Sequence, residues 1–435
     1  MVWVDKRDGG RRVFGQHLTA LGDPIWEDNG MPLCEVFSYQ GYARAVADGE
    51  GGCFASWTDL RSGEWCGYVQ HVDYLGWYTM DPEGVAVCSD TSGQANLESV
   101  SDGAGGIIVV WDDFRAGSEN WDIYAQRIDA FGNLLWPSEG VPVCTSPGTQ
   151  SIGAIDTDGA GGVVVSWLDY GSTPDSIDIY AQRLGPEGNA LWGPNGVAVC
   201  TAQDCQYAGG IVGDGVGGAV VVWRDERSDN IDVYAQRISA LGYSLWATDG
   251  IPVMASSSDE YTPNIVDDGD AGFVVVWIDG RAGSSSRDLY AQRLDLNGNL
   301  LWGTSGVPVC TAGDYLGYFQ LVDDGADGAV TVWLDYRTGA GTEIYGQRLA
   351  SDGSAMWQDN GVLIATGETT LQDLAAIADG EGGAFLSWRR GDSENYTGDV
   401  FAQRIERNGY LGTPSPFIYE VIDYPGDQGG TAVVS

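Results

Sequence analysis

Two histidines, eight cysteines, 62 acidic side chains and 20 arginines are the residues of this 435-residue chain whose types suit chemistry. Histidine would act as a general base or a metal ligand. His17 in Gly15-Gln16-His17-Leu18 and His71 in Val69-Gln70-His71-Val72 instead stand in a slot that elsewhere holds Arg127, Arg183, Arg237, Arg293, Arg348 and Arg404. A substitution inside a recurring slot reads as structural. Cys34, Cys88, Cys144, Cys200 and Cys310 close a recurring G-V-P-V-C, whose last position is Met254 or Ala365 in other copies. A slot that takes Cys, Met or Ala is small, buried and apolar. Equivalent positions of separate copies lie beyond the roughly 7 Å between Cα atoms that a disulfide spans. Of the remaining Cys53, Cys66 and Cys205, a local bridge from Cys200 to Cys205 is the pairing that the spacing allows. No C-x-x-C pair or histidine cluster suggests zinc.

Calcium wants several hard oxygens in a flexible loop, and Asp156-Thr157-Asp158-Gly159, Asp267-Asp268-Gly269-Asp270 and Asp323-Asp324-Gly325-Ala326-Asp327 offer them. No twelve-residue loop ends in a bidentate Glu, and Asp-Gly also makes an ordinary hairpin turn, so no cofactor is expected. Arg7, Arg61, Arg115, Arg227, Arg281 and Arg337 each follow a tryptophan by four residues, which predicts a ring of charges paired with Asp59, Asp113, Asp225, Asp279 and Asp335. Catalysis needs one unique site, so this repetition leads to the expectation that the chain is not an enzyme.

Residues that depart from repetition point to ligands instead. Fourteen of 17 tryptophans fall in two recurring slots; the exceptions are Trp65, Trp77 and Trp121. Trp65 and Trp121 align with each other and are expected to be neighbours on one rim, where aromatic platforms suit sugar rings. Arg390-Gly391-Asp392 is an adhesion-like tripeptide in the last copy. Trp65, Trp121, Trp77, Arg390 and Asp392 are therefore the candidate ligand contacts, with no catalytic or metal residue assigned.

The elements that must carry these residues follow from the period. Trp3, Trp57, Trp111, Trp167, Trp223, Trp277, Trp333 and Trp388 recur every 54 to 56 residues. A full unit reads D-G-x-G-G-x-x-V-V-W-x-D-x-R, a variable loop, D-I-Y-A-Q-R-L, then x-x-x-G-N-x-L-W and G-V-P-V-C. Ile107 to Trp111 is a β-branched run between glycines and charges, and Asp122 to Ile128 alternates in period two; both read as strands. Pro263 to Asp267 makes a third strand and Val141 to Cys144 a short edge strand. Four antiparallel strands repeated eight times predict an all-β, eight-bladed β-propeller over residues 1–411, with a solenoid as the other reading. Met1-Val2-Trp3 begins inside the second strand of the first unit, so the first blade is incomplete and the N-terminus reads as a cut boundary. Residues 412–435 are expected to be a linker and the first strand of a following module, or a strand that closes the first blade.

The motif W-x-D-x-R, D-I-Y-A-Q-R-L, G-N-x-L-W, G-V-P-V-C resembles a repeat family of large secreted bacterial surface proteins, and the tail from Val421 to Ser435 looks like the opening of a fibronectin type III-like module. The resemblance implies a secreted or cell-surface, non-catalytic, multidomain protein. Two enzyme families of propeller fold fit less well. The sialidase Asp-box S-x-D-x-G-x-T-W does not match the spacing from Asp129 through Gly132 to Trp136, and the adjacent cysteine pair of quinoprotein dehydrogenases is missing.

The net charge of −41, with Lys6 as the single lysine, disfavours nucleic acid and acidic membrane surfaces as partners. Hydrophobic residues at 43% and 65 glycines describe a globular chain rich in turns, and no apolar run reaches the ~18 residues of a membrane span. The expected function is that of a non-enzymatic extracellular binding or scaffold module, a monomeric ring recognising glycan or protein through rim loops. The alternative is a carbohydrate-active enzyme, sialidase-like or lyase-like, with an axial site.

Overall fold

The computed structural model describes residues 1–412 apart from 8, 172–175, 271, 284–286, 313–315, 327, 340, 368–369 and 393–396. The segment expected to begin a following module or to close the first blade, beyond residue 412, lies outside the described residues. Among the described residues thirty strands and no helix are formed, in eight antiparallel sheets whose first strands pack side by side. This is an eight-bladed β-propeller. Six sheets have four strands; the first and last have three among the described residues.

The fourth sheet shows the plan: β12 (Gln150–Thr157), β13 (Val163–Asp169), β14 (Asp178–Leu184) and β15 (Val197–Cys200) pair in that order. The first strand of each unit is innermost and the proline-bearing fourth outermost, where a missing N–H costs little. Second strands are packed on both faces by neighbouring blades and therefore read as unbroken Val and Ile runs: all of β9 (Gly106–Asp113) is buried. The first sheet begins with a second-type strand, β1 (Val2–Asp5), followed by β2 (Arg12–Gly15) and β3 (Met31–Pro32).

The recurring residues form one lock per blade. The Trp223 indole N–H donates to Asp225 at 2.7 Å, and Arg227 clamps the same carboxylate through Nε at 2.7 Å and a terminal nitrogen at 2.5 Å. The guanidinium lies 4.0 Å over Tyr234, which stacks on Trp223, and it also donates to the Asp249 carbonyl and to the Cys200 thiol of the preceding blade. The expected Asp–Arg ring is thus present, at Asp59–Arg61, Asp113–Arg115, Asp225–Arg227, Asp279–Arg281 and Asp335–Arg337. Gly250 lies against this lock at a φ of 87°, where an added Cβ would sit 2.4 Å from the Trp223 ring. A second bond ties neighbours together: the Trp192 indole reaches the Ala240 carbonyl of the next blade, as Trp302 reaches Ser351.

The cysteine slot is corrected in one respect. All eight cysteines are free, so Cys200 and Cys205 are not bridged. The Cys200 thiol is turned between blades, where Arg227 donates to it at 3.1 Å, and burial pushes its pKa up to about 12. Such a thiol is inert.

The fourth blade lacks the arginine, having Gly171 there. Its Asp169 is half-buried, and the buried Trp167 indole nitrogen has no hydrogen-bond partner. Asp225→Asn should therefore cost roughly 1.5–3 kcal/mol by leaving a half-buried guanidinium without its carboxylate. Asp169→Asn should cost about 0.5 kcal/mol or less. Equilibrium denaturation of the two variants checks the contrast; equal losses would show that the carboxylate does not act through arginine.

Candidate functional site

Antiparallel order divides the loops between two ends of the ring. Loops entering each first strand and loops joining second to third strands lie at one end, called here the entry end. The D-G-x-G-G hairpins and the turns after each third strand lie at the other.

This division separates the aromatic candidates. Trp65 and Trp121 both precede third strands at the entry end and are half-buried. Trp65 packs edge-on against Tyr39 at 5.7 Å, and Trp121 packs on Phe114 at 4.9 Å while donating to the Ser118 carbonyl. Their own carbonyls accept the backbone N–H of Gln94 and Gln150, the first residues of the following inner strands. Trp77 lies at the opposite end, 69% exposed on a turn after a third strand. Arg390 lies over Phe401 at 5.5 Å, and Arg390-Gly391-Asp392 continues the ladder of β29 (Ala384–Asp392) against β30 (Thr397–Ile405), so the tripeptide is strand and not loop tip. The Asp392 side chain lies outside the description.

All three Asp-rich turns invoked for calcium have a resident cation. Asp158, Asp268 and Asp324 accept backbone N–H groups with one oxygen and pair through the other with Arg183, Arg293 and Arg348. His71 fills the arginine slot by pairing with Asp48 at 3.0 Å. Among the described residues no cluster of three His, Cys, Asp or Glu side chains is placed to hold a metal ion.

Symmetry breaks on the inner strands. Each carries a bulge near its entry end. Tyr42, Asn96, Thr262 and Asp373 occupy the same bulge position at φ of 54°, 48°, 45° and 53°. Left-handed backbone costs energy in residues other than glycine, most of all in β-branched Thr262, and such strain gathers where function demands a particular side-chain direction. Beside the bulges, Arg44 of β4 (Gln40–Ala47) donates to the Leu97 carbonyl at 3.0 Å and pairs with Glu98 of β8 (Gln94–Ser101). Tyr318 of β24 (Leu316–Asp323), five blades from Arg44, is 57% exposed, and its phenol feels the charges of both Arg44 and Glu98. Arg44 and Glu98 are in contact, and the Tyr318 phenol, which accepts from the Gln320 amide, lies within the reach of their charges. Burial pushes both the Glu98 and Tyr318 pKa values up, with Arg44 opposing.

Nearby, Asp112 accepts the Ile152 N–H at 2.9 Å and the Ser151 hydroxyl at 2.8 Å, and burial with Glu98 close by pushes its pKa up to about 6. Farther round, Arg224 lies 4.0 Å over Tyr207, Arg287 lies 4.9 Å over Tyr261, and Arg389 donates to Asp373 at 2.7 Å. Twelve of the 20 arginines belong to the two recurring slots. Of the other eight, Arg11, Arg44, Arg224, Arg287, Arg389 and Arg390 are carried on entry-end loops, on inner strands or on the entry-end tips of second strands. A cleft of about 430 Å³ beside Glu226 is lined by Asp204, Cys205, Ser228, Asp229, Asn230 and Ile231 and is acidic.

Arg44, Glu98, Asp112 and Tyr318 were not among the sequence candidates. Their signal in the sequence is that aligned units have no fixed residue at these positions.

No protein-family model matches the sequence, and no curated protein matches it. Among solved structures, a polysaccharide lyase, an ulvan lyase bound to -[GlcA(1-4)Rha3S]-, aligns with a TM-score of 0.51 at 10% identity, covering 87% of this chain and 96% of its own. A protein of unknown function from Dyadobacter fermentans gives 0.44 at 12% identity, covering 74% of this chain and 96% of its own. An α-L-arabinofuranosidase from Fusarium graminearum gives 0.34 at 8%, covering 60% and 90%. The likeness to the lyase shows the fold alone, but it corrects the expectation that the chain is not an enzyme. That lyase spreads the same fold over nearly its whole length and is catalytic, so repetition of the frame is no argument against chemistry.

Glu260 generates a test of the frame around the site. It is fully buried at the first position of β20 (Glu260–Asp267), where Gln40, Gln94, Gln150 and Gln206 stand in other blades. Ser256 donates to it at 2.9 Å, its second oxygen has no partner, and burial with Asp279 nearby pushes its pKa up to about 7. The folded chain thus keeps a proton that the unfolded chain releases from about pH 4.5, so this group's contribution to stability falls as pH rises towards 7. Glu260→Gln, able to donate to Asp279 as Gln40 donates to Asp59 at 3.1 Å, should remove that loss. Its denaturation midpoint should match the parent's at pH 4 and exceed it at pH 8, by up to about 3 kcal/mol in stability. A gap that does not widen with pH would refute the assignment.

Proposed function

We propose that this chain is a carbohydrate-active enzyme whose site is the entry end of the ring axis, and that it cleaves an anionic polysaccharide by elimination outside the cell. The observation that carries this reading is the Arg44–Glu98 pair on neighbouring inner strands, with the phenol of Tyr318 from a third blade within the reach of its charges, in a ring whose tryptophan-linked charges are repeated. The concentration of the remaining arginines at that end, several of them paired with tyrosine, gives a strongly acidic chain local contacts for carboxylate or sulfate groups and for sugar faces.

Elimination from a uronate needs three things. The carboxylate is neutralised, the proton beside it is removed, and the C–O bond to the next sugar breaks as its oxygen takes a proton, leaving a C=C bond. Arg44 supplies the cation. Glu98, its pKa raised by burial, is suited to remove the proton, and the phenol of Tyr318, protonated at neutral pH as tyrosine ordinarily is, is suited to donate one to the leaving oxygen. The ulvan lyase of the same fold, with its bound GlcA(1-4)Rha3S ligand, supports the reaction class.

The test is a panel of acidic polysaccharides read by the ultraviolet absorbance of the unsaturated product. At least one should be cleaved, and Arg44→Ala, Glu98→Gln and Tyr318→Phe should each lower kcat by about 100-fold or more without moving the thermal midpoint. Cleavage that yields new reducing ends and no absorbance would replace elimination by hydrolysis, and no cleavage at all would end the proposal.

A further inference from the structure

The loop that enters the second blade departs from its counterparts. Residues 33–39 run from β3, the outermost strand of the first sheet, to β4, the innermost of the second. On this radial path stand Phe37, Tyr39 and, just inside β4, Tyr42, which are 71%, 46% and 79% exposed. Single exposed apolar side chains are ordinary, but three aromatic rings within six residues form a patch. The positions of Phe37 and Tyr39 hold Thr91 and Gly93 in the third blade and Gln203 and Cys205 in the fifth. The rings are held in place. Arg12 lies 4.4 Å over Phe37, Arg11 lies 4.6 Å over Tyr39 and donates to its hydroxyl at 2.6 Å, and Trp65 meets Tyr39 edge-on. Tyr42 takes its direction from a backbone φ of 54°, on the strand that carries Arg44 two residues farther in. The strip thus ends at the Arg44–Glu98 pair.

We infer that this strip is a binding subsite in which Phe37, Tyr39 and Tyr42 receive the faces of sugar units beyond the one that is cleaved, and Arg11 their carboxylate or sulfate groups. The inference rests on the proposed site and deepens it, by naming where the rest of an anionic polysaccharide lies: along a radius of the entry end, from rim to axis. Sugar rings offer C–H faces to aromatic rings, while their hydroxyl and acidic groups point outward. A guanidinium beside the rings answers the acidic groups at short range. Arg11, Arg12 and Arg44 oppose the sign of a chain whose net charge is −41, so the strip favours an anionic sugar chain over a neutral one. Because arginine and tryptophan neighbours already fix the rings, little freedom is lost when a sugar seats on them. Trp65, half-buried, acts through Tyr39 and not as a platform of its own.

Binding measured apart from cleavage tests this. The whole chain, carrying Tyr318→Phe so that the polymer stays intact, is run in native gels containing ulvan, alginate or polygalacturonate, with uncharged dextran as the control. At least one acidic polymer should retard it and dextran should not. Phe37→Ala, Arg11→Gln and Tyr42→Asn, the last being the residue of that slot in the next blade, should each raise the dissociation constant about three- to tenfold and leave the thermal midpoint in place. Phe131→Ala, which removes a ring 75% exposed on a turn of the opposite end, should change neither. Affinity that survives all three substitutions, or retardation by no acidic polymer, overturns the inference. Affinity lost in the three variants while the parent chain cleaves nothing upholds the subsite and ends the elimination reading alone; cleavage by the parent chain with KM unmoved in the variants ends the subsite and leaves the reaction standing.

Discussion

A carboxylate buried between blades and clamped by an arginine is the constraint on which this ring is built. The desolvation of such a group is repaid only by excellent geometry and full hydrogen bonding. Asp225, with no exposed side-chain surface, meets that demand with the indole N–H of Trp223, the fork of Arg227 and a backbone N–H. The arginine must then be held, and Tyr234 beneath it and the Asp249 carbonyl beside it do so. The same terminal nitrogen, Nη2, also reaches the thiol of the preceding blade, so satisfying one aspartate ties two sheets together. Where the arginine is missing, in the fourth blade, Asp169 swings into partial exposure and the Trp167 indole loses its acceptor.

Both recurring arginine slots are spent in this way, the second on the hairpin aspartates of the opposite end. Most of the acidic excess is therefore left without a slot arginine, and the few arginines outside the slots, among them Arg44 paired with Glu98, Arg224 with Glu226 and Arg389 with Asp373, are gathered at the entry end. An anionic polymer approaching this chain meets a repulsive far field. At ~0.15 M salt that field is screened beyond about 8 Å, whereas contacts at the entry end act well within that range. Recognition of an anionic substrate is thus compatible with a net charge of −41, provided that the cations are gathered in one place.

The frame was legible because each structural role recurs with one residue type. Eight tryptophans at nearly equal spacing, the glycine before G-V-P-V-C and the Asp and Arg after each tryptophan gave the blade count, the strand order and the ion pairs. Errors arose where sequence distance was taken for spatial distance. Cys200 and Cys205 are five residues apart, yet the first thiol points into the crevice between blades. Trp77 is a candidate contact alongside Trp65 and Trp121, and because it follows a third strand while they precede one, the ring separates them.

The site was not legible for a reason that belongs to the architecture. A propeller assembles an axial site from single residues on different blades, so no local motif marks it. Arg44 and Glu98 occupy the same slot in adjacent units and look like unrelated variation until the inner strands are laid side by side. Tyr318 joins them only because the ring curves back upon itself. The bulge adds a further obstacle: it shifts the register of each inner strand, so alternation no longer tells which side chains face the axis. Uniform repetition is what supplies a rigid frame, and a rigid frame is what allows a few unrepeated side chains to be held at fixed positions against its cost in strain. In such a chain the absence of a compact catalytic motif is uninformative, and the positions that refuse to repeat are the ones to examine.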